Sequence, residues 1–492
     1  MKKVVLLTFG LCITIMGHTN NLKIENPNYD PSTRELSFDV SWENAWYINP
    51  LYHDAAYVFI KYKASNDPVW KPALIVQQDQ TFGNLTFRHA GQNPKTKRFG
   101  PDNHDGYIGG MIELNTPFQG DVTSTRITVT LTSGMANIPN PSFKVFGVEM
   151  VYVPEGSFFI GDGSGNGYSD FIGNPMLIGA GSGGVFVEAT IQARSLAFDD
   201  QYPSGWKSFY MMKYEITQGQ YKDFLNTLTR QQQQGRVNSD ITGGTVANRF
   251  VMSNNTIPTN RNAVACASDV VDQGPITFFM DLNNNGVADE ADDGESLAAN
   301  YLDQDDFLAY IDWAGLRPPS SMEYEKAGRG FAKSVVNEYA WGSTDLNVFT
   351  LNDLSQVGTT SEQPTVNLPT LIPAGFVTRV GYAADVDSDR LSSGGSYFGI
   401  MSLTGNVAEW TVGIVEDIIE DRFDYGEYGS GELSSNGVSF VNQWNNLEYI
   451  IKDDIRLNNN NDRQTLSQLS SISTPSTNGE RYGGRGVVYV GN

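Results

Sequence analysis

Sulfur and imidazole are scarce in this chain. Of 492 residues only two are cysteines, Cys12 and Cys266, and only four are histidines, His18, His53, His89 and His104. Everything beyond residue 104 therefore lacks an imidazole, and a zinc, copper or iron site built on His or Cys ligands is hard to assemble there. Removal of an amino-terminal segment holding Cys12 leaves a single thiol, which excludes an internal disulfide. Basic residues are few as well: 33 Lys and Arg stand against 56 Asp and Glu, a net charge of -23. A nucleic-acid backbone is repelled by such a surface, so DNA and RNA are set aside as partners. The acidity suits solubility, and equally divalent cations or basic patches on a partner. No later run approaches the ~20 apolar residues of a membrane helix, so no transmembrane segment is expected in the mature chain.

What is present describes an ordinary globular protein. Hydrophobic residues make up 40% and glycines number 50, which excludes global disorder, and the length suits two or three domains. The amino terminus carries Lys2 and Lys3, an apolar run from Val4 to Met16, and then Gly17, His18 and Thr19. This is the pattern of a signal peptide over residues 1–19, too short to span a bilayer. It predicts an exported protein, whether periplasmic, outer-membrane-associated or extracellular. Leu11, where a small residue is wanted, argues against a lipid on Cys12.

Residues 20–146 alternate with period two: Leu36, Phe38 and Val40 among Ser37, Asp39 and Ser41, then Tyr57 to Tyr62, then Ile127, Val129 and Leu131 among threonines. An all-β sandwich of immunoglobulin-like type is predicted. His53, His89 and His104 fall on turn-like pieces and are expected to be solvated. Further on, Thr217 is placed to cap a helix whose apolar residues are Tyr221, Phe224, Leu225 and Leu228. A second amphipathic helix over Asp306 to Trp313 is closed by Gly315.

One stretch points to hard-cation chemistry. Asp281 to Asp292 reads DLNNNGVADEAD, and a calcium loop of twelve residues takes oxygens from its positions 1, 3, 5, 7, 9 and 12 with glycine at 6. Asp281, Asn283, Asn285, the carbonyl of Val287, Asp289 and Asp292 occupy those positions, with Gly286 at the turn. Asp292 replaces the usual glutamate, and Ile276 to Met280 suits a strand before the loop, so a structural calcium is expected rather than a paired sensor.

Residues 147–492 carry a series of blocks in order: Met150 to Gly161 (MVYVPEGSFFIG), Phe209 to Phe224 (FYMMKYEITQGQYKDF), Leu316 to Gly330 (LRPPSSMEYEKAGRG), Asn337 to Gly342 (NEYAWG), Gly399 to Thr411 (GIMSLTGNVAEWT) and Arg481 to Tyr489 (RYGGRGVVY). The series resembles the formylglycine-generating-enzyme, or sulfatase-modifying-factor, family. The resemblance implies an irregular α+β, C-type-lectin-like fold. It also implies a structural calcium held by Ser402, Gly405, Val407 and Glu409, with Ser402 where an asparagine or aspartate usually stands. Family members that oxidise a substrate cysteine use a cysteine pair shortly before the last block; a related iron-dependent branch uses three histidines. Neither set exists here, so catalytic and cofactor-binding residues are expected to be absent and calcium is the sole expected cofactor.

The expected function is thus that of an exported, non-catalytic structural or interaction protein, similar to envelope proteins of bacterial gliding-motility and secretion machinery. Its partner would be an envelope or surface protein, met by insertions at about 162–205, 228–300 and 412–478. Two alternatives stay open. One is a metal-dependent modifying oxidase with an altered site in a pocket near Arg481 and Trp410. The other is a calcium-dependent carbohydrate-binding protein in which Trp444, Tyr425 or Tyr428 stacks on a glycan. Oligomeric state is open.

Overall fold

The computed structural model describes residues 21–90, 106–163, 175–179, 189–191, 194–196, 202–270, 274–385, 387–413, 423–447, 449–453, 465–467, 471–472 and 479–489. The signal peptide expected over 1–19, His104, most of the insertion at 162–205 and part of that at 412–478 lie outside the described residues. Strands dominate, and helices are few and short. In chain order the elements that matter here are β1 Lys23–Asp30, β2 Glu35–Asn49, β3 Tyr52–Lys63, β4 Asp79–Phe82, β5 Leu85–Ala90, β6 Gly109–Leu114, β7 Phe118–Thr130 and β8 Ser142–Val153. They are followed by β9 Phe209–Met212, α1 Gln218–Leu225, β10 Val264–Cys266, β11 Phe278–Met280, α2 Gln304–Ala314, α3 Ser321–Arg329, β12 Ala408–Val412, β13 Tyr449–Lys452, β14 Tyr482–Gly483 and β15 Val487–Val488.

The period-two pattern folds as the sequence suggests. Leu36, Phe38, Val40 and Trp42 of β2 and Ile127 and Val129 of β7 are buried on one face, and the serines and aspartate between the β2 residues are half-buried on the other. That face packs against Ala56, Val58 and Ile60 of β3, Phe87 of β5 and Ile112 of β6. Complete burial of each large apolar side chain contributes about 1.5–3 kcal/mol, which is why strands of this period need a second sheet. The outer sheet is β1–β2–β7. The inner one runs β15–β9–β8–β3–β6–β5–β4, antiparallel throughout, and the β2–β3 hairpin links the two.

The inner sheet has no solvent face at β3. Ala56, Val58 and Ile60 point into the sandwich, while Ala55, Tyr57 and Phe59 join a second core with α1 and α2. Phe59 meets the Trp313 ring edge-on at a centroid distance of 4.9 Å. β8 runs across residues 146 and 147 without a break and pairs with β3 from Ser142 to Val151 and with β9 from Met150 to Val153. One continuous sheet therefore carries both the amino-terminal strands and the start of the block-bearing region.

Polar groups stitch this junction. α2 ends at Gly315, whose φ of 72° suits glycine, and the carbonyls there need donors from elsewhere. Tyr57 donates its hydroxyl to the Ala314 carbonyl at 3.1 Å, and Lys61 donates to the carbonyls of Trp313 and Gly431, both at 2.6 Å. Burial pushes the Lys61 ammonium down to about 7, while the helix end and Asp312 favour its charged form. At the other end of β3, Lys213 lies between Asp54 at 3.0 Å and Glu149 of β8 at 3.2 Å, all three buried. Burial raises both carboxylates and Lys213 pulls them back down.

His53 corrects the expectation of a solvated loop histidine. It sits within β3, only 4% exposed, stacks on Tyr152, and its Nε2 lies 2.9 Å from the Tyr210 hydroxyl, which donates to Glu113. Burial lowers its pKa to about 4, so the ring is neutral at physiological pH. His89 lies on β5 with Nδ1 3.4 Å from Asp79. The insertion at 228–300 is not a free loop either: Val251, Met252, Val264, Cys266, Phe278 and Met280 are buried in the second core. Among the described residues, no helix is long and apolar enough to cross a membrane.

Lys213→Met strands two buried carboxylates and is expected to lower stability by about 3–5 kcal/mol in urea unfolding. Adding Asp54→Asn and Glu149→Gln to Lys213→Met should recover most of that loss; no recovery would show that the triad is not the cause.

Candidate functional site

The family-like blocks meet at the carboxyl end of β9. Met212 closes that strand, and the chain continues through Lys213, Tyr214 and Glu215 to Thr217. Thr217 caps α1 in a reciprocal box with Gln220, as its sequence position suggests. Opposite Glu215 stand Asn406 and Glu409 of the Gly399 to Thr411 block and Arg485 of the last block. Arg485 is wholly buried. Its Nε donates to both Glu409 oxygens at 2.9 and 2.8 Å and its Nη2 to Oε1 at 2.5 Å, while Nη1 reaches the Met401 carbonyl at 2.9 Å and Nη2 the Ser402 carbonyl at 3.1 Å.

This geometry bears directly on the calcium ligands that the resemblance implies. Both oxygens of Glu409 face Arg485, and so does the carbonyl of Ser402. The Gly405 amide donates to Asp453, and Val407 is buried among Tyr214, Ala298, Val377 and Val380. The structure brings Ser402, Gly405, Val407 and Glu409 together, but a guanidinium already compensates the one carboxylate. A calcium ion there would compete with Arg485 for the only carboxylate of the set.

Glu215 is wholly buried and carries the unbalanced charge of this cluster. Neither of its oxygens accepts a hydrogen bond of normal geometry; Arg485 Nη2 lies 3.9 Å away, and the Asn406 amide is its other polar neighbour. Burial first, and then repulsion from Glu409, push its pKa up to about 8 against the attraction of Arg485. One cation between two buried carboxylates leaves room for one proton.

The acidic loop forms partly as the spacing predicts. Asp281 Oδ1 accepts from the amides of Asn285 and Gly286 at 3.0 and 3.5 Å, Asn283 Oδ1 from Asn285 at 3.0 Å, and Asn285 Oδ1 from Val287 at 2.7 Å. The loop closes where Asn283 donates to Asp292 at 3.3 Å. Asp289 turns away: its Oδ1 accepts from the Met280 amide at 2.9 Å and lies 3.4 Å from Lys222 of α1. Asp281 is likewise committed, its Oδ2 pairing with Arg249. Two acids that the spacing rule passed over, Glu290 and Asp293, cluster with Asp292 instead. The acidic run from Asp289 to Glu295 was the signal for them.

Other expected contacts are not formed as proposed. Trp444 is fully buried, and Tyr428 is buried with its hydroxyl accepting from the Tyr489 amide, so neither presents a ring to a glycan. Tyr425 packs edge-on against Tyr489 under Lys207. Trp410 is buried, and its indole donates to the Leu302 carbonyl at 3.0 Å. A cleft of about 330 Å³ lies instead between β1 and β8 on one side and α1 and α2 on the other, with Phe146, Tyr310 and Trp313 in its wall; neither Trp410 nor Arg481 lines it. The segment just before the last block, where the family's cysteine pair would fall, is largely outside the described residues, and its sequence from Arg456 to Glu480 holds no cysteine. Cys266 lies in β10, buried, its thiol pushed up to about 11.

Because Glu215 holds its proton to about pH 8 in the fold and releases it at ordinary carboxylate pH when unfolded, its contribution to stability is complete in acid and is lost as pH rises through that window. Relative to Glu215→Gln, the native chain is therefore expected to lose stability between about pH 4.5 and 8, and parallel thermal unfolding curves check it. A constant difference across that window would contradict the assignment.

Comparison with known proteins agrees with the blocks. No curated protein matches the chain. The sequence model of the "Sulfatase-modifying factor enzyme 1-like domain" matches residues 144–464, more than half of the 492. The match opens inside β8 and spans the Glu215, Glu409 and Arg317 to Arg329 segments. The chain belongs to the sulfatase-modifying-factor family.

Proposed function

We propose that this protein is an exported, non-catalytic member of its family, acting as a structural or interaction protein at the bacterial cell envelope or surface. One observation carries the reading. The family region contains a single thiol, Cys266, and no histidine. A thiol raised to about 11 by burial is protonated at neutral pH and a poor nucleophile, and a single thiol cannot supply a two-thiolate metal site. Export rests on the charged and apolar run from Lys2 to Met16.

Several charged residues of the blocks support the same reading, because they are paired within the frame. Arg317 pairs bidentately with Glu323 at 2.7 and 2.6 Å, beside the Ser320 cap of α3. Arg329 joins Glu325 at 2.9 Å, Glu338 and Ser467 at 2.7 Å. Lys326 donates to the carbonyls of Pro154 at 2.6 Å and Gly205 at 2.5 Å. Side chains so engaged hold irregular backbone together, and a rigid frame with variable loops suits binding without chemistry.

The test combines turnover with capture. Purified chain incubated aerobically with copper and a cysteine-containing peptide is expected to leave the thiol unconverted, while affinity capture from its own envelope should enrich a defined partner. Aldehyde formation in the peptide above a copper-only control would overturn the reading.

A further inference from the structure

Three carboxylates converge at the end of the acidic loop without a cation. Glu290, Asp292 and Asp293 each bring an oxygen within 4.8 Å of the others. Glu290 and Asp292 are exposed, whereas Asp293 lies just beneath them with no accessible surface. Its Oδ2 accepts from the Glu290 amide at 2.8 Å and the Asn283 amide also faces the carboxylate, but its Oδ1 accepts no hydrogen bond of normal geometry. A buried oxygen without a donor is costly unless an ion or a water completes it, and this is an observation separate from the clustering. The loop's other acids already have cations, Asp281 in Arg249 and Asp289 in Lys222. Among the described residues, no lysine or arginine forms a salt bridge with the trio.

We propose that Glu290, Asp292 and Asp293 form a calcium site, distinct from the six-position ligand set that the loop's spacing suggests. Oxygens bound at about 2.4 Å to one ion lie at most about 4.8 Å apart, so the observed spacing admits a single ion. Magnesium, which needs a tighter octahedron at about 2.0–2.1 Å, fits this exposed and uneven set less well. Oxygen-only donors select a hard cation over copper or zinc. Glu290 also accepts from the Asn285 amide at 2.5 Å, and Gly294 donates to the Gly358 carbonyl at 2.9 Å. An ion here therefore fastens the loop to the turn at Gly358. The site goes beyond the non-catalytic reading and does not depend on it.

The full chain, stripped with chelator and dialysed, is titrated calorimetrically with calcium chloride and, separately, magnesium chloride, with thermal midpoints recorded alongside. One saturable calcium event, a raised midpoint and at least tenfold weaker magnesium binding are expected. Asp293→Asn and the exposed Asp292→Asn should each weaken calcium at least tenfold, whereas Asp289→Asn should change it less than twofold. Asp292→Asn keeps the result independent of any folding defect at the buried position. The proposal fails if the intact chain binds no calcium, if affinity survives both trio substitutions within twofold, or if Asp289→Asn abolishes binding while Asp293→Asn does not.

Discussion

Lys213 is held in the interior by carboxylates from two strands that lie far apart in sequence, Asp54 on β3 and Glu149 on β8. Taking one ammonium and two carboxylates out of water costs several kcal/mol per ion, and their mutual attraction offsets this only while all three stay in place. β3 and β8 lie side by side in the inner sheet, and β9, which ends one residue before Lys213, is the next strand beyond β8. A shift of register by one residue would turn Asp54 and Glu149 to the opposite face and send Ala56, Val58 and Ile60 out of the sandwich. The triad and the two-faced burial of β3 therefore impose one alignment, and the Glu215 cluster, which follows Lys213 directly, inherits its position from that alignment.

This arrangement also explains why the amino-terminal strands cannot be treated as a passive attachment. Tyr57 and Lys61 supply the donors that the end of α2 lacks, and Phe59 and Phe146 pack against Trp313 from the same sheet. An exposed helix end would find its donors in water. Here the end is buried, so the donors must come from β3, and the block-bearing region depends on them.

Local pattern made much of this legible. The alternation in β2 and β7, the cap at Thr217 and the stop at Gly315 were all readable because each depends on neighbours within a few residues. No helix is predicted over α3 from the sequence, although Ser320 and Glu323 form a capping box. His53 falls on a turn-like piece of sequence beside Asp54, yet β3 begins at Tyr52 and carries the ring inward. The ligand loop shows the limit most clearly. Its winding follows from Asx turns and glycine, which are local, but the fate of Asp281 and Asp289 was decided by Arg249 and Lys222, which only the tertiary fold brings near. The same holds for Glu409: its block was recognisable, while its partner Arg485 lies in another block that no spacing rule connects to it.

The buried pairs bear on how the blocks themselves should be understood. A buried ion pair contributes little to net stability compared with well-packed apolar residues, but losing one member leaves an uncompensated charge that costs about 3–5 kcal/mol. Arg485 with Glu409, Arg317 with Glu323 and Arg329 with Glu325 and Glu338 are therefore interlocked: no single partner can be exchanged without the other. Arg329 with Glu338 and Arg485 with Glu409 tie segments far apart in sequence, whereas Arg317 with Glu323 and Arg329 with Glu325 brace the start and the length of α3. A frame braced in this way keeps its signature residues whether or not it reacts with anything. Recognisable blocks are consequently a property of the scaffold, and activity must be judged from the reacting groups alone.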